Sequence, residues 1–155
     1  MRFNLNILFL LISTTTFSQN YKGKIDSTIF IAKQIDTDLN TFTKIEKYKD
    51  SISSKNYYIN YGVIQKIEIS TIENNTLKKV NWYYKNSSLI YIEKLWCDNA
   101  RQKTIDSEKI IIQNNKIIAW LNSNNQLIDF NTSEYNQLCL QIIEYGLYQK
   151  NLIED

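Results

Sequence analysis

The chain has 155 residues, 43% of them hydrophobic and 13% aromatic, which is enough for a buried core and excludes wholesale disorder. Its 18 Lys and Arg against 16 Asp and Glu leave a formal charge of +2, far from the asymmetry of a chain specialised for DNA or RNA. With no histidine, no proline and only three glycines, it excludes His-based triads, His metal clusters, glycine-rich phosphate loops and proline-rich repeats.

The start reads as a leader. Arg2 supplies a positive end, Ile7 to Ile12 is an unbroken apolar run, and the stretch from Ser13 to Ser18 is dominated by small hydroxylated residues. That is the three-part pattern of a secretory signal peptide. The run is too short to cross a hydrocarbon layer about 30 Å thick as a helix. Residues 1–18 are therefore expected to be cleaved after Ser18, leaving 19–155 as a single secreted or periplasmic α+β domain with no transmembrane segment.

From Asp26 the spacing of Ile31, Ile35 and Leu39 predicts an amphipathic helix, capped by Asp26 or Ser27 and weakening at Asn40. Phe42 to Tyr48 fits either an edge strand or two last helical turns, and Asp50 to Asn56 reads as a polar loop. Beyond it the period changes to two. Tyr57 to Tyr61 leads the first long strand, with Gly62 marking a bulge or bend, and Val63, Ile67 and Ile69 share one face. Asn74-Asn75 predicts a turn. Leu77 to Lys85 and Leu89 to Cys97 read as strands joined through Asn86 to Ser88.

Asp98 to Ser107 reads as a long polar link. Lys109 to Gln113 and Lys116 to Leu121 flank Asn114-Asn115, a pair that tolerates positive φ and joins adjacent strands tightly. After a polar loop at Asn122 to Gln126, Asn131 and Glu134 are spaced like a capping box. Tyr135, Leu138, Ile142 and Tyr145 continue as a helical stripe that Gly146 interrupts or loosens. The expected fold class is α+β: an antiparallel β-meander of about five or six strands packed against N- and C-terminal helices, both on one face. A sheet curled into a small barrel is the architectural alternative.

An exported chain meets an oxidising compartment, where Cys97 and Cys139 have one intrachain pairing open to them. A bridge would join sheet to helix and stabilise by about 3–4 kcal/mol. Two separately buried thiols are the other reading. Two sulfur ligands without histidine fall short of a zinc set, so no metal site and no cofactor is expected.

The leader, the segment IAKQIDTDLNTFTK and the hairpins YYKNSSLIYIEK and IIQNNKIIAWLN resemble a group of uncharacterised small secreted or periplasmic α+β proteins of Bacteroidota-type bacteria with repeated aromatic β-hairpins. The resemblance covers much of Ile31 to Asn122. It implies an exported α+β protein, and it carries over neither an activity nor a catalytic residue. Ser88 and Lys116 stand where related turns often have Gly-Lys.

Carboxylates at Glu93, Asp98, Asp106 and Glu108 read either as solvated acids or, for Glu93 and Asp98, as the pair a glycosidase would hold across a sugar cleft. Ser87 and Ser88 near Lys85 read as turn residues more readily than as a Ser-Lys centre. Lys78, Lys79 and Lys85 beside Trp82 to Tyr84 carry the residue types of a single-strand nucleic-acid platform, but Glu68, Glu73 and Glu93 break the basic footprint, so nucleic acid is not the expected ligand. Trp82, Tyr83, Tyr84, Tyr91, Trp96 and Trp120 crowd the strand-rich middle. They read either as core or as an exposed aromatic surface for a secreted or envelope protein, or an envelope glycan. The leading expectation is a non-enzymatic extracytoplasmic binding or protein-interaction module. A small hydrolase using paired carboxylates, or an immunity or inhibitor protein, is the alternative.

Overall fold

The structure, a computed structural model, describes residues 5–101, 103–129 and 133–154, with the side chains of 5–20, 48, 133–136, 139, 153 and 154 outside the description. It is an α+β fold. Helix α1 (Leu5–Thr37) leads through a single helical turn at Leu39–Thr41 into β1 (Thr43–Lys49), β2 (Ser53–Asn60), β3 (Val63–Glu73), β4 (Thr76–Lys85), β5 (Ser88–Asp98), β6 (Lys103–Gln113) and β7 (Lys116–Leu121), and α2 (Ser133–Glu154) follows. The strands form one antiparallel sheet in the order β1-β2-β3-β4-β5-β6-β7. Among the described residues no helix is long and apolar enough to cross a membrane.

The meander follows from its turns. Tyr61-Gly62, Asn74-Asn75, Asn86-Ser87 and Asn114-Asn115 each separate two strands by two residues, and all eight have positive φ between 48° and 78°. Such pairs twist in the sense that the flanking strands need, and Asn and Gly enter this region most readily. Gly62 thus belongs to a hairpin turn between β2 and β3, rather than to a bulge or bend in one long strand. Tyr61 is the poorest fit, an almost fully exposed tyrosine at φ 48°. Tyr61→Asn should therefore raise unfolding stability by about 0.5–1 kcal/mol in denaturant titrations, through relief of backbone strain rather than any new contact.

The sheet has seven strands where about five or six were expected, because the first long strand is the hairpin β2–β3. Phe42 to Tyr48 resolves as the edge strand β1, whose three lysines and bulge between Glu46 and Tyr48 discourage pairing with another sheet. The predicted polar link from Asp98 to Ser107 is largely the first half of β6. Thr104, Asp106 and Ser107 pair with Cys97, Trp96 and Leu95, so backbone bonding holds this segment although Ile105 stays exposed.

The helices do not share a face. Tyr57, Ile67, Trp82, Ile92, Ile110 and Trp120 align across six strands and pack with Ile143 of α2. On the opposite face Tyr83, Tyr91, Ile111 and Ala119 align and pack with Ala32 and Ile35 of α1. Alternation sends Trp82 and Tyr84 one way and Tyr83 the other, so the aromatic triplet gives both faces apolar surface that must be covered.

Gly146 does not break α2, which is helical through it. A Cβ there would lie 2.6 Å from Trp82 Cδ1 and 2.9 Å from its Nε1, so the missing side chain lets the helix backbone rest on the indole. Nearby, Tyr84 donates its hydroxyl to the Gly146 carbonyl at 2.8 Å, and Trp82 Nε1 donates to the Ile142 carbonyl at 3.4 Å. Alanine would add about 1 kcal/mol of helix propensity but force apart a buried contact, which costs about 1–3 kcal/mol. Gly146→Ala is therefore expected to lower stability in urea titrations, and a gain would contradict this packing.

Candidate functional site

Helix α1 crosses its face of the sheet without sealing it. Between them lies a cleft of about 700 Å³, with Ile25, Ile29 and Ala32 of α1 on one side and Tyr83, Tyr91 and Leu121 of the sheet on the other. Leu127 and Asn125, from the loop after β7, close one end. Lys22, Asp26, Lys33 and Asp36 are exposed along the helix side of the cleft, while the half-buried Glu93 and Lys109 bring charge to its sheet wall. The mixture of apolar walls and a few convergent polar groups is that of a small-molecule pocket.

At one end of the cleft lies a polar junction in which a buried cation and a buried phenol meet a partly exposed carboxylate. Lys66 of β3 points toward α1 and donates from Nζ to Asp36 Oδ1 at 2.7 Å, while the Tyr83 hydroxyl donates to Asp36 Oδ2 at 2.9 Å. The Lys66 side chain is 6% exposed, Glu68 Oε2 lies 4.0 Å from its ammonium, and the ammonium sits 5.0 Å from the centre of the Tyr83 ring. One carboxylate thus satisfies a buried cation and a buried phenol, and fixes the end of α1 to the third and fourth strands.

Next to this junction the α1 face carries a polar row in cross-strand register: Asn56, Glu68, Asn81, Glu93 and Lys109. Asn56 donates to Glu68 at 3.3 Å and Asn81 to Glu93 at 3.4 Å. Among the described residues the buried Oδ1 atoms of both asparagines find no hydrogen-bond partner. Lys109, directly opposite Glu93, instead sends its Nζ to Asn125 Oδ1 at 2.7 Å. Among the described residues no cation stands within 4.0 Å of Glu93.

The negative field of this wall is visible in the tyrosines. Burial, then the charges of Glu93 and Asp36, push the Tyr83 and Tyr91 hydroxyls far above the usual tyrosine range; for Tyr83 the hydrogen bond to Asp36 adds to this. Burial, with Glu68 and Asp36 behind it, pushes Tyr58 up to about 12. These phenols remain protonated donors at any physiological pH and do not act as bases.

Of the six aromatics read as a candidate binding surface, Trp82, Tyr83, Tyr84, Tyr91 and Trp120 are all buried and only Trp96 is partly exposed. They are core, divided between the two faces, and do not form an exposed platform. The same burial removes Trp82 to Tyr84 from base stacking. Glu93 and Asp98 are five residues apart on one strand, about 17 Å at the rise of a β-strand, whereas glycosidase carboxyl pairs stand about 5–9.5 Å apart. Asp98 Oδ1 accepts the amide N–H groups of Ala100 and Arg101 and shapes the β5–β6 turn. Asp106 bonds its neighbour's amide, and Glu108 pairs with Lys94 on the α2 face. Ser87 sits in its hairpin turn at φ 62°.

Among the described residues Cys97 has no disulfide partner, and its Sγ lies 3.8 Å from Thr104 Oγ1. The side chain of Cys139 and the capping pair of Asn131 and Glu134 lie outside the described residues. Among the described residues no group of three or more Cys, Asp or Glu side chains is placed to hold a metal ion.

Sequence reasoning missed Asp36, Lys66 and Asn81. A signal for Asp36 was present: it continues the Ile25, Ile29, Ala32 spacing, so a charge stands on an apolar helical stripe. Compared with family models, curated proteins and solved structures, the chain matches none.

Proposed function

We propose that this is an exported, non-enzymatic binding module whose ligand site is the cleft between α1 and the sheet. The observation that carries the reading is the cleft itself: a largely apolar cleft of about 700 Å³ with Glu93 half-buried on its sheet wall and Asp36 on its helix side. The leader-like start and the resemblance to small extracytoplasmic proteins support export. Binding needs only a fixed shape and placed acceptors, both of which the Asp36 junction helps to maintain.

Native and denaturing mass spectrometry of protein recovered outside the cytoplasm tests both halves. The expected result is a chain beginning at Gln19 that carries a small molecule at one-to-one stoichiometry. Retention of Met1 to Ser18 in the exported protein would overturn the leader. Exported protein that always flies empty and takes up no amphiphile would overturn the cleft.

A further inference from the structure

Two neighbouring sets of groups on the α1 face have the same chemistry, and one of them is complete. At the junction, a carboxylate (Asp36), an ammonium (Lys66) and a tyrosine ring (Tyr83) close on one another, with the Lys66 nitrogen 2.7 Å from the carboxylate and 5.0 Å from the ring centre. One strand further on, Glu93 and Tyr91 stand two residues apart on the same face of β5, and the Tyr91 ring lies 5.3 Å from Tyr83. Carboxylate and ring are repeated there, and the ammonium is not. The chain's own candidate, Lys109, is bonded to Asn125.

Glu93 is half-buried on the cleft wall, and its hydrogen bond is to the Asn81 amide at 3.4 Å; among the described residues no cation stands within 4.0 Å of it. A half-buried carboxylate facing a cleft calls for a donor-rich, positively charged group, because a charge-assisted bond is strong. An ammonium supplies three donors and is attracted to a tyrosine face. Ile25, Ile29, Leu121 and Leu127 give the cleft an aliphatic stretch. Lys22, Lys33 and Lys109 share the ligand's sign; the first two are exposed, where salt and water screen them, and Lys109 is turned to Asn125.

We propose that the cleft takes an aliphatic amine, with Glu93 receiving the ammonium, Tyr91 beside it and the hydrocarbon chain lying against Ile25, Ile29 and Leu127. This rests on the reading of the cleft as the ligand site and adds the ligand's chemical class.

Three probes of equal chain length separate the two claims: n-octylammonium, octanoate and octyl glucoside. Each is titrated below its micelle threshold into the full folded protein, followed by calorimetry and by the NMR signals of Ile29, Tyr91 and Leu127. The expected result is saturable one-to-one binding of n-octylammonium at least about tenfold tighter than of the other two. Glu93→Gln, which keeps an acceptor for Asn81, should erase that preference without moving the thermal midpoint. If octanoate or octyl glucoside binds the cleft as well as the amine does, the amine assignment is overturned and the cleft reading stands. If no probe moves those signals, both fall. Should Glu93→Gln fold poorly, the ranking of the three probes on the unaltered protein decides alone.

Discussion

Raising the pH above about 10 should unfold this protein steeply, as a single cooperative event tied to tyrosine ionisation. In the unfolded chain each phenol loses its proton near pH 10. In the fold, burial holds Tyr83, Tyr84 and Tyr91 well above that value, reinforced at Tyr83 and Tyr91 by Glu93 and Asp36 and at Tyr84 by Tyr57. A group whose pKa is higher in the folded state contributes its full stability below the unfolded pKa, then loses it as pH climbs toward the folded one. Each such tyrosine removes about 1.4 kcal/mol per pH unit, so these three, all 3% exposed or less, remove about 4 kcal/mol per unit. Against a typical total of about 5–15 kcal/mol, the sheet is lost within about one to four pH units. Tyrosinate absorbance and far-ultraviolet circular dichroism, recorded in one titration, should change together. Smooth ionisation of every tyrosine near pH 10 with the sheet intact would contradict the burial described here.

Asp36→Ala should cost about 3 kcal/mol, the largest loss expected from a single charged residue. Asp36 is 41% exposed but its partner Lys66 keeps only 6% of its side-chain surface in water, so removing the carboxylate strands a buried ammonium with Glu68, 4.0 Å away, and the Tyr58 and Tyr83 rings to offset it. The Tyr83 hydroxyl loses its acceptor in the same step. Replacing the lysine as well, in Asp36→Ala/Lys66→Met, removes the stranded charge, and the double variant should recover at least about 1 kcal/mol over the single one. The Lys94–Glu108 pair on the other face has partners 17% and 25% exposed, and Glu108→Ala there should cost about 1 kcal/mol or less. Denaturant titrations of the three variants check this ranking. A mild Asp36→Ala would mean that α1 is not fastened at this point. The same substitution should weaken n-octylammonium binding, because the junction positions the helix that forms one wall of the cleft.

Local chemistry made the hairpins legible. The Asn-Asn pairs at 74–75 and 114–115 allow few backbone choices, and the strands on either side alternate strongly. The front half of β6 was hidden because Lys103 to Ser107 holds only one large apolar residue, the exposed Ile105, and backbone pairing with β5 holds it in the sheet. The triplet Trp82-Tyr83-Tyr84 announced that both faces carry aromatics. What alternation does not state is which helix covers which face, and placing both helices on one side left the other row apparently free to form a platform. The cleft was harder to foresee, because its parts come from Tyr21 to Asp36, Tyr83 to Glu93 and Lys109 to Leu127, segments brought together only when α1 crosses the strands. Among these parts Glu93 was singled out, but with Asp98 as partner, and strand geometry separates those two.

The most direct check on this arrangement is a set of proton–proton distances from isotope-edited NMR. The methyl groups of Ala32 and Ile35 should show contacts to the rings of Tyr83 and Tyr91, while the Tyr145 ring shows contacts to Trp82, whose centroid lies 5.7 Å away. Contacts joining α1 to Trp82 or Trp120 instead would put both helices on one face, abolish the cleft and contradict the account built on it.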